Sequence, residues 1–206
     1  VLRVALRDVD AIVHLAAIVH TPFSFQDPNW VQQVNHWGTS HLVEAAISND
    51  IDHFVYASSG AVYGPGGPHR EEDRCQPNGA YAHSKRQAER TVEGAMKRGL
   101  DATILRFGML YGPAPVLRFN GVANKFAKLA GIRQPLTVYG DGTQTRSLLH
   151  VADAADAVSW AIDNDAPTNG ETYNVTGTNT SINELVEAVQ SLRTDVDVRQ
   201  DRKSVV

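Results

Sequence analysis

The feature that most constrains the fold is a set of short, continuous apolar runs separated by longer segments with a helical pattern. The run Phe54–Ser58 is apolar at successive positions, which is typical of a central parallel strand that is buried on both faces. Ala11–Leu15 and Leu100–Phe107 are further strand candidates, both largely apolar. Because parallel strands need crossover connections, usually helices, these runs predict a parallel sheet of the α/β class.

Capping residues and periodicity place the remaining elements. Asp27 and Pro28 are a good N-cap and first residue for a helix over Pro28–Ser48, and Ser181 with Glu184 forms a capping box before Ile182–Leu192. The other predicted helices are Tyr81–Arg98, Val122–Leu129 and Val151–Asp163, and the other predicted strands are Leu136–Tyr139, Arg146–His150 and Thr172–Val175.

Tyr81 and Lys85 stand four residues apart at the head of a predicted helix, so their side chains point to the same face. A free tyrosine has a pKa of about 10 and is a poor base at neutral pH. A lysine charge about 5 Å away, at an effective dielectric of about 20, is worth roughly 3 kcal/mol, or about two pKa units. We therefore expect Lys85 to lower the pKa of Tyr81 towards the range that suits acid–base catalysis. Such pairs also occur by chance, so the surrounding motifs decide.

Seven motifs in register surround and include this pair. They are Asp10–Ala17, Asn35–Thr39, Phe54–Gly64, Tyr81–Lys85, Leu105–Pro113, Gly140–Arg146 and His150–Asp153. In this order and spacing the chain resembles the extended short-chain dehydrogenase/reductases, specifically the NAD-dependent sugar-nucleotide epimerase/dehydratase family. The resemblance runs from about Asp8 to Leu192.

The resemblance implies a Rossmann-like doubly wound parallel sheet with a small C-terminal α/β substrate region. Residues 1–113 would form part of the dinucleotide-binding domain, and 114–206 mainly part of the substrate region, with some segments returning to the first domain. The glycine-rich turn of the family is absent, because Gly64–Gly67 and Gly140–Gly142 are ordinary turns. We expect the sequence to lack the first βαβαβ unit, about 60 residues, and to stop before the substrate domain is complete. The 206 residues alone should therefore be poorly active.

The same resemblance assigns the site residues. Tyr81 would be the catalytic acid/base, Lys85 would hold the nicotinamide ribose, and Ser59 would orient the reacting hydroxyl. Cofactor contacts fall on Leu15, Ala16, Ala17, Asn35, Ser58, Tyr81, Lys85, Phe107 and Gly108, and substrate contacts on Ser59, Tyr81, Met109 and Arg146. Arg146 would grip the diphosphate, since its guanidinium matches such oxygens in two-point contacts. His14 and His150 are interpreted as structural, and no metal site is expected.

The implied reaction is NAD-dependent epimerisation of a nucleotide-sugar, for which a UDP-sugar is the expected substrate. The 4,6-dehydratases of the family carry a Thr-Asp-Glu run where this chain has Ser59-Gly60-Ala61, and the decarboxylases carry a Glu there, so both activities are disfavoured. Epimerases often have an Asn at the position of Met109, whose thioether is a weak acceptor and no donor. Two alternatives stay open: an NAD(P)-dependent reductase or dehydrogenase of a non-nucleotide alcohol or carbonyl, and an inactive fragment or non-catalytic binding chain.

Composition excludes several other classes. The net charge of −4, with no basic stripe, argues against nucleic-acid binding. Apolar runs approaching the ~20 residues of a membrane span are absent, and the single cysteine, Cys75, rules out a disulfide framework, so a cytoplasmic location is expected. By resemblance, Pro28–Ser48 and Tyr81–Arg98 would pair in a homodimer. The sequence leaves NAD versus NADP open, together with the exact substrate.

Overall fold

The computed structural model describes residues 1–19, 25–163 and 169–201. It forms two compact units, the first made of Val1–Phe107 with Ala155–Val175 and the second of Gly108–Ala154 with Thr176–Val206. Residues 164–168 and 202–206 of the expected substrate region lie outside the described part. Across that part, no helix is both long enough and apolar enough to traverse a bilayer.

The predicted helices and strands are present in the predicted order, and the structure adds elements that the sequence analysis did not predict, at Leu2–Ala5, Met109–Tyr111, Thr178–Ser181 and Val198–Asp201. The helices are α1 (Leu2–Ala5), α2 (Pro28–Gln32), α3 (Gly38–Ile47), α4 (Gly79–Met96), α5 (Val122–Gly131), α6 (Val151–Asp163) and α7 (Ile182–Leu192). The strands are β1 (Ala11–His14), β2 (His53–Ser59), β3 (Ala102–Phe107), β4 (Met109–Tyr111), β5 (Leu136–Tyr139), β6 (Thr145–His150), β7 (Thr172–Val175), β8 (Thr178–Ser181) and β9 (Val198–Asp201).

The first unit is built on a parallel sheet with strand order β1-β2-β3-β7. Val55 at the middle of β2 pairs with Val13 on one side and Thr103 on the other. Strand β2 is buried from His53 to Ser58 and β3 is buried throughout, as expected for strands covered on both faces. The predicted parallel α/β fold is confirmed. All four carboxyl ends meet at one edge, where ligands bind in sheets of this kind.

Helices α3 and α4 cover this sheet with small and branched side chains. Their buried residues pack with the strands into one core, and each fully buried aliphatic side chain contributes about 1.5–3 kcal/mol of burial free energy. The members of this core are Ile12, Val43, Ala46, Ile51, Phe54, Tyr56, Ala88, Val92, Ala95, Leu100, Ala102 and Ile104.

The helix predicted over Pro28–Ser48 is interrupted by a π-helical turn at Gln33–Trp37. The predicted start is confirmed, because the Asp27 carboxylate accepts a hydrogen bond from the backbone N–H of Trp30 at 2.9 Å. Within the π turn Asn35 is buried, and the Thr39 hydroxyl donates to its carbonyl at 2.6 Å. A hydroxyl bonded to the carbonyl four residues back distorts a helix locally. A π turn of this kind often marks a functional site.

The second unit contains a sheet of order β4-β6-β8 and a separate pair, β5-β9. Strand β4 runs parallel to β6, and β8 runs antiparallel to it. The predicted strands on either side of the Gly140 turn are both present, but they lie in different sheets. Helix α7 begins with the predicted capping box, in which the Ser181 hydroxyl and the Glu184 backbone are hydrogen-bonded at 3.1 Å. The core of this unit is Phe126, Ala130, Leu136, Val138, Ile182, Val186 and Val196.

We predict that Ser181→Ala lowers the free energy of unfolding by about 1 kcal/mol, because the cap satisfies an N–H that the helix cannot. Chemical denaturation of the natural protein measures it. Ser191→Ala is the matched control, since that hydroxyl only bonds the Ala188 carbonyl near the other end of α7. Equal stability of the two variants would show that the cap does not hold the helix.

Candidate active site

The candidate site lies at the carboxyl end of β2 and the first turn of α4. Ser59 is the last residue of β2 and Tyr81 is the third residue of α4. The hydroxyl of Ser59 hydrogen-bonds to that of Tyr81, and it also accepts from the backbone N–H of Ala61 at 3.2 Å. Two residues that are 22 positions apart in the sequence are thereby brought into direct contact at the edge where ligands bind.

Lys85 lies one turn further along α4 and is buried, with only 4% of its surface exposed. Its ammonium donates to the Ala57 carbonyl at 2.7 Å and lies 4.9 Å from the centre of the Tyr56 ring. Burial lowers the pKa of Lys85 to about 8, and the negative charge of Glu89 opposes this shift. The residue is therefore a cation poised to titrate only slightly above neutral pH.

The expectation that Lys85 lowers the pKa of Tyr81 is wrong in this structure. Burial raises the pKa of the Tyr81 hydroxyl, and the hydrogen bond from Ser59 offsets part of that rise. The Lys85 ammonium is directed at the Ala57 carbonyl and the Tyr56 ring, while desolvation acts on the phenol. Tyr81 in this conformation is therefore a protonated group, suited to donating a proton.

Asn35 connects the segment after β1 to α4. Its amide accepts from the backbone N–H of Ile18 at 2.7 Å and donates to the carbonyl of the same residue at 2.8 Å. It also donates to the Ser84 hydroxyl at 2.9 Å, and Ser84 donates to the Tyr81 carbonyl at 2.8 Å. Asn35 is 1% exposed, so the predicted functional position is a buried clamp between the β1 end and the Tyr81 turn.

His14 is a buried partner of α3, as its interpretation as a structural residue requires. Its Nε2 is 2.9 Å from the Thr39 hydroxyl, whose own proton goes to the Asn35 carbonyl. That hydroxyl is therefore an acceptor, and His14 donates from Nε2. Burial, with a smaller contribution from the Lys85 charge, lowers the pKa of His14 to about 4, so the imidazole is neutral at neutral pH.

A second charged group on α4, Glu89, was missed by the sequence reasoning. It is fully buried and accepts hydrogen bonds from the Ser58 hydroxyl at 2.5 Å and from two nitrogens of Arg106, Nε at 2.9 Å and Nη2 at 3.0 Å. Helical spacing could have found it, since Glu89 lies four residues after Lys85 on the same face. No local sequence pattern predicts that its partner is Arg106 of β3, because the two residues are 17 positions apart and lie on different elements.

Arg106 extends this network to the loop after β2. Its Nη1 donates to the Tyr63 hydroxyl at 2.7 Å and to the Glu71 carbonyl at 3.0 Å. Tyr63 in turn donates to the Asn174 side chain of β7 at 2.7 Å, and the Glu71 carboxylate accepts from the Asn174 backbone at 2.8 Å. Three neighbouring structures, β3, β7 and the loop, are thereby tied together beside the site.

The expected cofactor residues fall at different places in the first unit. Leu15 and Ala16 follow β1 and are exposed, and Phe107 ends β3. The hydroxyl of Ser58, an expected cofactor contact, donates to Glu89 at 2.5 Å and so belongs to the buried network. The partly buried thiol of Cys75 lies in the loop between β2 and α4. Through residues 1–19, 25–163 and 169–201 no group of three or more metal-ligating side chains is close enough to hold an ion.

Gly108, Met109 and Arg146 belong to the second unit. A side chain at Gly108 would meet the Ser147 carbonyl at 2.9 Å, so the backbone there requires glycine. Met109 pairs with Leu148 of β6. Arg146 is exposed at the start of β6, where its Nη1 donates to the Thr145 carbonyl at 2.8 Å. His150 accepts from the backbone N–H of Ala152 at 3.3 Å and thereby fixes the entry to α6.

Comparison with known proteins places the chain in a family. Residues 2–176 match the model of the NAD dependent epimerase/dehydratase family. A UDP-N-acetyl-alpha-D-glucosaminuronate decarboxylase from Bacillus cytotoxicus is 33% identical over 89% of this chain and 59% of its own length. A putative UDP-glucose 4-epimerase from Methanocaldococcus jannaschii is 31% identical over 91% of this chain and 62% of its own.

Among solved structures, the UDP-glucuronic acid 4-epimerase from Bacillus cereus, in complex with UDP-glucuronic acid and NAD, superposes with a TM-score of 0.89. It is 26% identical, and the match covers 98% of this chain and 65% of that one. The chain thus spans about three fifths of the length of these three proteins.

We predict that Asn35→Ala lowers the free energy of unfolding by about 2–4 kcal/mol and speeds hydrogen exchange at the Ile18 amide. The substitution leaves buried polar groups of Ile18 and Ser84 unsatisfied, at about 1–3 kcal/mol each. Exchange measured residue by residue on the natural protein tests this. Asn49→Ala, which removes a single hydrogen bond to the Ala45 carbonyl, is the control. An unchanged Ile18 exchange rate would contradict the clamp.

We also predict a pH-dependent contribution of Lys85 to stability. The pKa of Lys85 is about 8 in the folded protein and about 10.5 in the unfolded chain. Between these two pH values the unfolded chain therefore binds more protons than the folded protein. The stability of the wild type relative to Lys85→Met should therefore rise by about 3 kcal/mol as the pH increases from about 8 to about 10.5. Denaturant titrations over this range measure the difference.

Lys97→Met removes an exposed lysine just beyond the end of α4 and serves as the control. A flat difference between wild type and Lys85→Met over the same pH range would show that Lys85 has an ordinary pKa.

Proposed function

This chain belongs to the NAD dependent epimerase/dehydratase family, and from that membership we propose that it carries the catalytic centre of an NAD-dependent epimerase acting on a nucleotide-sugar. The observation that carries the proposal is the contact between the Ser59 and Tyr81 hydroxyls at the carboxyl end of β2, with the buried Lys85 ammonium one helical turn away. Oxidation of a secondary alcohol needs three groups from a protein: an acid/base, a hydrogen-bonding group that orients the hydroxyl, and a fixed positive charge. Tyr81, Ser59 and Lys85 can supply them in that order.

The roles follow from the positions of these groups. Tyr81 takes the proton from the sugar hydroxyl during oxidation and returns it after the ketone has been reduced. Ser59 hydrogen-bonds the same oxygen and fixes its distance from Tyr81. Lys85 supplies the positive charge that favours the ionised phenol in the complex, where the substrate and cofactor replace solvent around both groups. The bound NAD supplies the hydride chemistry.

The residues present fit an NAD ribose. Within the part of the chain that the structure describes, the Lys85 ammonium makes one hydrogen bond, to Ala57, and a lysine has three donors. Two donors on a cation that is 4% exposed suit a pair of adjacent ribose hydroxyls beside Tyr81. Leu15 and Ala16 are exposed at the end of β1, at the sheet edge where dinucleotides bind in this fold. We place the cofactor along this edge.

Epimerisation is favoured over dehydration and decarboxylation by the turn that follows Ser59. The turn Gly60–Tyr63 begins with two residues that have no carboxylate, Gly60 and Ala61. A side chain at Gly60 would meet only the Phe107 carbonyl, at an ordinary 3.6 Å, so packing does not force glycine there. Elimination of water needs a carboxylic acid side chain in this turn. Position 60 has room for one but holds glycine.

The substrate is proposed to be a UDP-sugar. The epimerase from Bacillus cereus binds UDP-glucuronic acid together with NAD, and the relative from Methanocaldococcus jannaschii is named for UDP-glucose. Arg146, exposed in the second unit, is the proposed diphosphate contact, and Met109 the proposed neighbour of the sugar. We also propose a homodimer, supported by Trp30 and Trp37, which are 45% and 57% exposed on the helical segment expected to pair.

We predict that Tyr81→Phe lowers kcat for epimerisation by about 10²–10⁴-fold, the usual contribution of a general acid–base group. Ser59→Ala should lower it by about 10²-fold, the cost of one hydrogen-bond donor to a developing oxyanion. Interconversion of UDP-glucuronic acid or UDP-glucose with their 4-epimers, followed on the natural protein with NAD, measures both. Tyr139→Phe, which removes a hydroxyl from β5, should keep wild-type activity.

Other products would assign other activities. Net production of NADH in proportion to substrate would make the protein a dehydrogenase, and release of carbon dioxide would make it a decarboxylase. Full activity in Tyr81→Phe would remove the proposed acid/base.

A further inference from the structure

Helix α4 buries two charged side chains within an otherwise apolar stripe. Ala82, Ala88, Val92 and Ala95 are each at most 2% exposed, and so they form an ordinary helix face against the sheet. Lys85 and Glu89 occupy the positions between them and are 4% and 0% exposed. Since charged residues are almost never fully buried unless they are paired, both need an explanation.

The Glu89 carboxylate is fixed from three elements. Arg106 of β3 holds it in a two-point contact at 2.9 and 3.0 Å, and Arg106 is itself 4% exposed. Ser58 of β2 donates to it at 2.5 Å, and Arg86 of α4 at 2.8 Å. Four hydrogen bonds from these three side chains hold the carboxylate, so its position against the helix face is fixed.

Stability alone does not explain such a group. Replacing a buried ion pair by apolar residues of similar volume is often neutral or stabilising, because desolvation of the two charges offsets their attraction. The pair must therefore be considered for what its fixed charge does to its neighbours. The nearest neighbour along the buried face is Lys85, four residues earlier and one turn away.

We propose that Glu89 is a positioning residue: locked by Arg106 and Ser58, its carboxylate supplies the fixed negative charge that keeps the buried Lys85 ammonium charged and in place beneath Tyr81. This inference rests on the proposed function for the role of Lys85. Burial disfavours the charged form of Lys85, and Glu89 acts in the opposite direction. Without Glu89 the helix would bury a cation with no buried anion beside it, because the other carboxylate of this stretch, Glu93, is partly exposed and paired with Arg86.

Other groups face the pair from each packed element. Lys85 is faced by His14 of β1 and by the Tyr56 ring of β2, both neutral at neutral pH because burial lowers the pKa of His14 and raises that of Tyr56. Tyr81 precedes it on α4. Glu89 is faced by Arg86 and Arg106, both cations. The anion that acts on Lys85 is thus Glu89 itself.

The test compares Glu89→Gln with Glu93→Gln in the natural protein. Glu93 is one turn further along α4, pairs with the same Arg86 at 2.5 Å and is half-exposed, so its substitution removes an equal charge without touching Ser58 or Arg106. The stability of each variant is compared with that of the same variant carrying Lys85→Met as well. For Glu89→Gln, the pH at which this difference in stability begins to rise should be lower than in the wild type by about one unit or more. In Glu93→Gln it should stay near 8.

Activity gives a second readout that a merely structural role would not move. Because a lower Lys85 pKa reduces the charged fraction more at higher pH, a downward shift of about one unit should make the loss in kcat/KM for Glu89→Gln grow from almost none near pH 6 to about fivefold near pH 8. Glu93→Gln should stay within about twofold of wild type throughout. A loss that is the same at every pH, or no shift in the stability onset, would overturn the proposal.

A double variant covers the case in which Glu89→Gln does not fold. Glu89→Leu with Arg106→Met replaces both charges by apolar groups of similar size, so that neither charge of the pair is left buried without the other. The proposal predicts the same downward shift of the Lys85 onset, and an onset that stays near 8 would contradict it. Absence of wild-type turnover with UDP-sugars would instead reject the proposed function, while the unfolding titration still decides the role of Glu89.

Discussion

A lysine ammonium buried against the sheet is the interaction around which the first unit is arranged. To hold Lys85 at 4% exposure, α4 must lie close against β2, with the ammonium on the Ala57 carbonyl and over the Tyr56 ring. That packing carries Tyr81 to the carboxyl end of β2, where it contacts Ser59. The proposed chemistry thus depends on a charge that the fold shields from water, which is expensive unless other groups compensate for it.

Compensation comes from the polar groups packed behind the site. Glu89 and Arg106 join α4 to β3, Ser58 joins them to β2, and Tyr63 with Asn174 continues the network to β7. On the other side Asn35 fastens the segment after β1 to the Tyr81 turn through Ser84. The candidate groups are therefore held by hydrogen bonds from several rigid elements, and such support is what a pre-organised site requires.

Much of this fold was predictable because its signals are local. The strands at Ala11, Phe54 and Ala102 lie in short, largely apolar runs, and the caps at Asp27 and Ser181 are formed by residues within one turn. The π turn at Gln33–Trp37 has no such local signal, since it accompanies hydrogen bonds to Ile18 and Ser84 elsewhere in the chain.

For the site, helical spacing predicted that Tyr81 and Lys85 share a face, but it gave the wrong direction for the Tyr81 pKa. Spacing gives the distance between two groups, whereas desolvation depends on everything that packs around them. Arg106 was missed for a similar reason: its partner Glu89 lies 17 residues away, on a different element. The roles given to Ser59, Tyr81 and Lys85 stay predictions.

One isotope experiment tests the central claim most directly. The natural protein is incubated with NAD and a UDP-sugar that carries deuterium at C4, and the product is examined by NMR and mass spectrometry. Transient oxidation with return of the same hydride predicts a 4-epimer that keeps its C4 deuterium, no net NADH, and loss of the reaction in Tyr81→Phe. Deuterium lost to solvent, or NADH accumulating with product, would contradict the account.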